Sequence, residues 1–484
     1  MERPPVTTFD YLNFHAVNTP DRLVFILDDA EITYSRFAND ALRFTKALAD
    51  LGVRRGQIVA IHHPHFYIAW LLTIACDNLG AVSTTDDAKS WQHARFLYDH
   101  VDIALSDSPV EGQAPFRHHR LSDDWVHTVL AMDLAAAASQ ALPLPEWQDP
   151  VRISRSSGTT GIPKLICVTR QIQELRLNED ILTSGLNPDS RMLIIGAVFG
   201  INSMLRWCLI CFKVGALLVK VSDRAGALRR HGITHIWALP LEYERLLGEL
   251  PADARPNPHL IAESAGAAAS QSLQERIIAK LTPELRSMMG ANEAGFVLRM
   301  QDAGTGIPLP GVELEIRDEL HRKVPDGTAG LIALRKPGLI DAYFRNEEET
   351  RQRFREGWFY TGDAGVMIGP RKVKLLGRAD DMVIMGGVKE SPLALENTLR
   401  TGAGVRDAAV VSIKDSDGGD LVCVALVTEP GADIDRLKAG IHEIWAPYRV
   451  RIAIDLMDDL PRTDNGKVSR AKVREIFQAQ SPLP

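Results

Sequence analysis

The chain has 484 residues, 45% of them hydrophobic and 24% charged, with a formal net charge of −7. That is a globular composition, long enough for roughly two to four core-forming units. The acidic balance, with both signs spread along the sequence, excludes nucleic acid and an anionic membrane as main partners.

Met1-Glu2-Arg3-Pro4-Pro5 has no basic region leading into an apolar core, so no signal peptide is expected. The first part of the chain reads as a helix at 34–51, a strand at 57–62 and a helix at 67–79. From about residue 150, short β-rich runs at 191–196, 216–221, 235–239 and 260–263 alternate with helical patterns at 201–212, 224–231, 241–250 and 271–281. This alternation predicts a layered α/β architecture. The longest apolar stretch, 192–221, is interrupted by Asn202, Arg206, Lys213 and glycines; it reads as strand, helix, strand rather than a membrane span. From Gly306 the pattern turns to strands and turns, including 311–317 and 330–334. Beyond Arg378 it becomes short and mixed, with helices at 392–400 and 433–445 and strands at 405–413 and 421–427. The expected organisation is therefore an N-terminal region, 1–379, of several layered sheets and helices, followed by a small α+β domain, 380–484.

Five cysteines (Cys76, Cys167, Cys208, Cys211 and Cys423) are odd in number and mostly lie in apolar runs, which points to a reducing, cytoplasmic setting. Cys208-Leu209-Ile210-Cys211 has redox or metal spacing, but its bulky apolar neighbours predict buried thiols. The histidines at His62-His63-Pro64-His65 and His118-His119 have no acidic or cysteine ligands at helical spacing. They read as satisfied or exposed side chains.

One stretch stands apart. Ser156-Ser157-Gly158-Thr159-Thr160-Gly161-Ile162-Pro163-Lys164 gathers two glycines, four hydroxyl residues and a lysine. Glycines let backbone N–H groups turn inward, hydroxyls add donors, and the lysine supplies a mobile charge, which suits a polyphosphate cradle. A Walker A loop is excluded, because Lys164 is followed by Leu165-Ile166-Cys167-Val168, a strand pattern. Four later segments carry further chemistry. Met288-Met289-Gly290-Ala291-Asn292-Glu293 runs strand-like into a polar turn, where a carboxylate suits Mg²⁺ or, more plainly, the pair caps a short helix. Thr361-Gly362-Asp363 offers an aspartate to ribose hydroxyls, or an ordinary turn. Arg378-Ala379-Asp380-Asp381 lies at the expected boundary. Asn465-Gly466-Lys467 makes a tight turn that projects its lysine outward.

In this order the five segments resemble the adenylate-forming superfamily of acyl- and aryl-CoA synthetases, nonribosomal peptide synthetase adenylation domains and luciferases. The resemblance spans about residues 10–475 and includes Ala342-Tyr343-Phe344 with the glutamate-rich run after it. It implies that Ser156, Ser157, Gly158, Thr159, Thr160, Gly161 and Lys164 bind the β- and γ-phosphates of ATP, and that Glu293 helps to hold Mg²⁺. Asp363 and Arg378 are implied to bind ribose. Gly266 and Ala267 are implied to run along adenine, Met289 stands at the adenine-stacking position, the Asn292 amide can donate to the α-phosphate, and Gly290 and Ala291 belong to the same nucleotide-binding run. Asp380 is implied as the hinge of a mobile C-terminal domain, and Lys467 as the lysine bridging substrate carboxylate and nucleotide. Phe199, Gly200, Ser203, Met204, Glu263, Ser264 and Met288 are implied to line the acyl pocket.

The sequence departs from the family pattern at Leu165, where glycine is usual, and at Arg170, where histidine is common. Met289 replaces a stacking aromatic and Asn292 a threonine. Gly200 stands where amino-acid-activating members carry an aspartate, which disfavours an α-amino acid substrate. The expected reaction is formation of an acyl-adenylate and pyrophosphate from a small carboxylic acid and ATP, then transfer to CoA. The alternatives are transfer to a carrier-protein phosphopantetheine or an amine, and a binding homologue without turnover.

Overall fold

The computed structural model describes residues 4–85, 91–92, 94–110, 113–156, 163–196, 202–266, 269–302, 304–386, 388–414, 419–462 and 468–480. The elements expected from periodicity are present, with ends shifted by about two residues at most. Parallel strands such as Ile58–His62, Leu217–Lys220 and His235–Ala238 are short apolar runs because helices cover both faces of their sheets. The helix Phe66–Asn78 is apolar all round and buried along nearly its whole length, whereas Tyr34–Asp50 buries one face and is capped by Thr33.

Two sheets form the N-terminal region. In the first, Arg117–Arg120, Ile103–Ser106, Ile58–His62, Val82–Thr85 and Pro150–Arg155 run parallel, and Leu165–Thr169 closes the edge antiparallel. In the second, the strands from Leu23–Leu27 through Arg191–Ile194, His235–Ala238 and Ile261–Ser264 to Glu284–Ala291 are parallel. From Glu284–Ala291 onward that sheet continues as an antiparallel meander to Glu313–Arg317. Mixed α/β architecture is therefore observed as expected.

The helix Arg170–Ser184 is among the elements that periodicity does not reveal. Its buried residues are Arg170, Arg176, Leu177, Asp180 and Ser184, so its inward stripe is mostly polar. Arg170, whose position departs from the family pattern, is structural. It is 2% exposed, lies 2.8 Å from Asp77 Oδ1 and donates to the Val6 carbonyl.

After the 3₁₀ turn Ala379–Asp381 the chain forms the hairpin Val383–Met385 and Val388–Glu390, then a three-stranded sheet of Val405–Lys414, Asp420–Thr428 and Arg451–Leu456. The helices Pro392–Arg400, Ile434–Trp445 and Arg470–Gln480 belong to this region. Its apolar clusters share no residue with those of the preceding chain. Cys208 and Cys211 are buried and free, as their apolar neighbours predict, and burial pushes both thiols up. Among the described residues no helix is long and apolar enough to cross a membrane.

Candidate active site

The strands Pro150–Arg155 and Leu165–Thr169 pair antiparallel, and the glycine- and hydroxyl-rich loop joins them. Two hydrogen bonds close its base: Ser156 N–H donates to the Lys164 carbonyl at 2.8 Å, and Lys164 N–H to Ser156 Oγ at 2.9 Å. No helix begins behind the lysine, as the sequence predicts, so charge at this loop falls to side chains and loop amides. Ser157, Gly158, Thr159, Thr160 and Gly161 lie outside the described residues.

Asn292 and Glu293 occupy the turn of the hairpin formed by Glu284–Ala291 and Gly295–Met300, so they do not cap a helix. Gly295 has φ +76°, and a Cβ at Gly290 would stand 2.3 Å from the Gly295 carbonyl oxygen, so the tight hairpin demands both glycines. The Asn292 side-chain amide donates to the Arg155 carbonyl at 2.9 Å, which fastens the turn to the strand entering the glycine- and hydroxyl-rich loop. Arg176 fixes it from below. Its guanidinium donates to the backbone carbonyls of Gly338 (2.8 Å), Asn292 (3.1 Å) and Glu293. Burial pushes Arg176 down to about 9, with Arg206 adding to the effect. Sequence reading misses this residue, because nothing local marks an arginine whose partners are distant carbonyls.

The segment after Gly338 stitches the two walls together. Ile340 N–H donates to the Glu293 carbonyl, Phe344 N–H to the Leu165 carbonyl, and Tyr343 bridges to Ile166. Tyr343 Oη donates to Glu293 Oε1 at 2.8 Å, while Lys164 Nζ lies 5.5 Å from the Tyr343 ring centroid. Burial and then the Glu293 carboxylate push the Tyr343 phenol well up, so it stays a donor. Glu349, from the helix Glu347–Arg353, reaches Lys164 Nζ at 2.7 Å. Tyr343 and Glu349 are thus site residues that the sequence places near the motif without assigning them a role.

Thr361, Gly362 and Asp363 together oppose Ile332 alone, since Leu331 pairs with Ala364 and Ala333 with Tyr360. This bulge re-aims the aspartate, and Gly362 at φ +81° takes the left-handed conformation that favours glycine, beside the guanidinium ends of Arg353 and Arg378. Asp363 and Arg378 are cross-strand partners with Nη1 to Oδ1 at 3.6 Å, and Arg378 also donates to the Thr361 carbonyl at 2.8 Å. Gly266 follows the strand Ile261–Ser264 with φ +89°, and the register of Ser264 with Ser287 carries it toward Met289. Asp380 sits inside the 3₁₀ turn. Neighbouring Asp381 pairs with Arg474 at 2.7 Å. Ala267 and Lys467 lie outside the described residues.

Of the acyl-pocket candidates, Phe199 and Gly200 lie outside the described residues, and Ser203 is described by its backbone alone. Met204, Met288 and Glu263 are buried. Strand alternation separates two of these candidates. Glu263 shares its face with Trp237 and Arg286, its register partners, and Trp237 packs in the same apolar cluster as Met204 and Met288. Ser264 therefore points to the opposite face, that of Ala262 and its separate cluster. Glu263 and Ser264 thus lie on opposite faces of this strand.

Glu263 Oε1 stands 3.7 Å from Arg286 Nη1, too long for a good hydrogen bond. Burial pushes Glu263 from the ordinary 4.5 up to about 8, opposed by Arg286. The folded state therefore keeps this proton until about pH 8, whereas the unfolded chain releases it near 4.5, so stability falls as pH rises between those values. His235, pushed down to about 4 by burial and then Arg286, acts in the opposite sense and only below about 6.5. Between pH 6.5 and 8 the native chain should lose about 2 kcal/mol through Glu263, and Glu263→Gln should not. Thermal unfolding of both across that window checks this; parallel curves would mean that Glu263 is already ionised.

The walls thus gather a lysine, a carboxylate and an amide turn at the base of one loop, with the Asp363–Arg378 pair on the adjoining strands. The profile of AMP-binding enzymes matches residues 12–344, and that of the AMP-binding enzyme C-terminal domain matches 394–467. The chain belongs to the AMP-binding enzyme family. The adenylate-forming resemblance is thereby established for this AMP-binding enzyme. It is 26% identical over 470 residues to a feruloyl-CoA synthase from Amycolatopsis sp, covering 92% of this chain and 94% of that protein. It is 25% identical over 513 residues to the fatty acid–[acyl-carrier-protein] ligase ScoC of Streptomyces coeruleorubidus, covering 97% and 96%. Among solved structures, ATP-bound MatB from Rhodopseudomonas palustris aligns with a TM-score of 0.85 at 21% identity, over 99% of this chain and 100% of that one. That likeness establishes the fold.

Proposed function

We propose that this enzyme activates a carboxylic acid with ATP, releases pyrophosphate, and passes the acyl group to CoA. The observation that carries the reading is the convergence of Lys164, Glu293 and Asn292 on the closed base of the phosphate loop. The substrate carboxylate is an anion at neutral pH, so its oxygen can attack the α-phosphorus without a general base. The bond from that phosphorus to pyrophosphate then breaks. Lys164 and the loop hold the departing pyrophosphate, Asp363 and Arg378 hold the ribose, and Lys467 attends the bond being made. Mg²⁺ would neutralise the phosphate charge. A single well-oriented carboxylate such as Glu293, with nucleotide oxygens and waters, suits that ion better than an all-protein cage. In the second half-reaction a thiol sulfur bonds to the acyl carbon and AMP leaves.

The separate apolar clusters on either side of Ala379–Asp381 support a boundary at 379/380 with Asp380 as the hinge. Proline at 380 disfavours the αR region at Ala379, and hence the 3₁₀ turn. Asp380→Pro should therefore impair one half-reaction more than the other, by about tenfold or more. Comparing pyrophosphate release with thioester formation from supplied acyl-adenylate checks this; equal effects on both would take the hinge role from Asp380.

The likeness to a feruloyl-CoA synthase and the neutral Glu263 support an acid with an uncharged aryl or acyl tail. The likeness to ScoC favours a second reading, in which the acceptor is the pantetheine of an acyl-carrier protein. Five free cysteines suit a cytoplasmic enzyme. Pyrophosphate release over a panel of aryl, short-chain and medium-chain acids tests the proposal, and addition of CoA alone separates the two acceptors. Absence of acid-dependent release with every acid would leave a binding protein.

A further inference from the structure

Lys164 has a carboxylate partner within its own chain. Its Nζ lies 2.7 Å from Glu349 Oε2, with the two side chains 20% and 31% exposed. The carboxylate is held there by a closed local unit. Glu349 N–H donates to Asn346 Oδ1 at 3.1 Å. Thr350 Oγ1 donates to the Asn346 carbonyl at 2.6 Å and accepts from Tyr343 N–H at 3.0 Å. One short segment therefore carries both the aromatic ring beneath Lys164 and the carboxylate beside it.

A carboxylate in contact with Lys164 and a polyphosphate at the same lysine repel each other, and the site's partial burial weakens solvent screening. We propose that Glu349 is a resident counterion of Lys164, which the phosphates displace and which holds down affinity for pyrophosphate. The proposal rests on the reading of Lys164 as the phosphate-binding lysine. Arg353 gives the displaced carboxylate its second partner. It lies four residues along the same helix, in the Glu-before-Arg order that favours pairing. Its Nη1 sits against Gly362, beside the ribose-type aspartate. Exchange of Lys164 for Arg353 keeps Glu349 compensated in both states. The device prevents a preformed lysine cradle from trapping the product pyrophosphate.

The test is calorimetric titration of the full chain with inorganic pyrophosphate and Mg²⁺, and separately with AMP. Glu349→Gln should bind pyrophosphate about tenfold more tightly than the native chain, with AMP affinity unchanged within about twofold. Arg353→Met should weaken pyrophosphate binding about threefold when Glu349 is present and have no effect beside Glu349→Gln. Unchanged or weaker binding by Glu349→Gln overturns the counterion role. An Arg353→Met effect that is equal in both backgrounds makes Arg353 a direct phosphate contact and overturns the exchange. Acid-dependent pyrophosphate release by the native chain, together with unaltered pyrophosphate affinity in Glu349→Gln, refutes this inference alone. Absence of both release and pyrophosphate binding removes the adenylation reading with it.

Discussion

Glu293→Gln is expected to lower acid-dependent pyrophosphate release by about 10²- to 10³-fold while leaving the fold intact. The glutamine carbonyl can still accept from Tyr343 Oη, and the backbone carbonyl of residue 293 still receives Arg176 and Ile340. What disappears is the negative charge on the one carboxylate of the hairpin turn, and with it the ligand that suits Mg²⁺ beside the phosphates. The variant should also need more Mg²⁺ for half-maximal rate. Tyr343→Phe supplies the comparison. It frees one carboxylate oxygen without removing the charge, so its loss should be much smaller, about tenfold or less. Pyrophosphate release measured against Mg²⁺ concentration checks both, and a near-native rate in Glu293→Gln would exclude Glu293 as a metal ligand.

Arg176→Met is expected to destabilise the N-terminal region by about 3 kcal/mol and to lower activity severely. The carbonyls of Gly338 and Asn292 would lose their guanidinium donor, at about 1 kcal/mol or more each, and that of Glu293, which keeps Ile340 N–H, would lose one of two donors. Release of the buried guanidinium from its desolvation cost offsets part of this, which keeps the figure below a sum of full penalties. The activity loss has a separate cause: the turn bearing Glu293 keeps Ile340 and Tyr343 but loses the guanidinium that fixes it against Gly338. Arg176→Lys distinguishes charge from geometry, because a single ammonium cannot reach three carbonyls in the fixed fork of a guanidinium. Lysine should therefore rescue little. Thermal unfolding and pyrophosphate release measured on both variants check this, and full rescue by lysine would reduce Arg176 to a point charge.

The elements that the sequence revealed are those whose burial repeats with the backbone. The helix Tyr34–Asp50 and the parallel strands bury apolar residues at the period of their own geometry, so pattern and structure agree. The helix Arg170–Ser184 was illegible for the same reason in reverse. Its inward stripe is charged, and Arg170, Arg176 and Asp180 find partners in Asp77, Gly338 and Arg206, residues remote in sequence. Thr169 as an N-cap and Gly185 just past its end, at φ +81°, were its local signals. At the site, the loop, the Asn292–Glu293 turn, and Asp363 with Arg378 were legible as motifs. The bland reading of Asn292 and Glu293 as helix caps fails because Gly290 and Gly295 fold the chain into a hairpin.

The Ser156–Lys164 composition, the order of the five motifs and the family they identify were determined by sequence alone. Backbone-cradling glycines, hydroxyls and a lysine must be contiguous to act together, so their chemistry is written locally. Tertiary structure decided what those residues meet. It set Glu349 against Lys164, ran Arg176 beneath the turn, and sent Glu263 and Ser264 to opposite faces of one sheet. Ion pairs and strand registers join segments far apart in the chain. Their existence depends on packing, which no single stretch of sequence records.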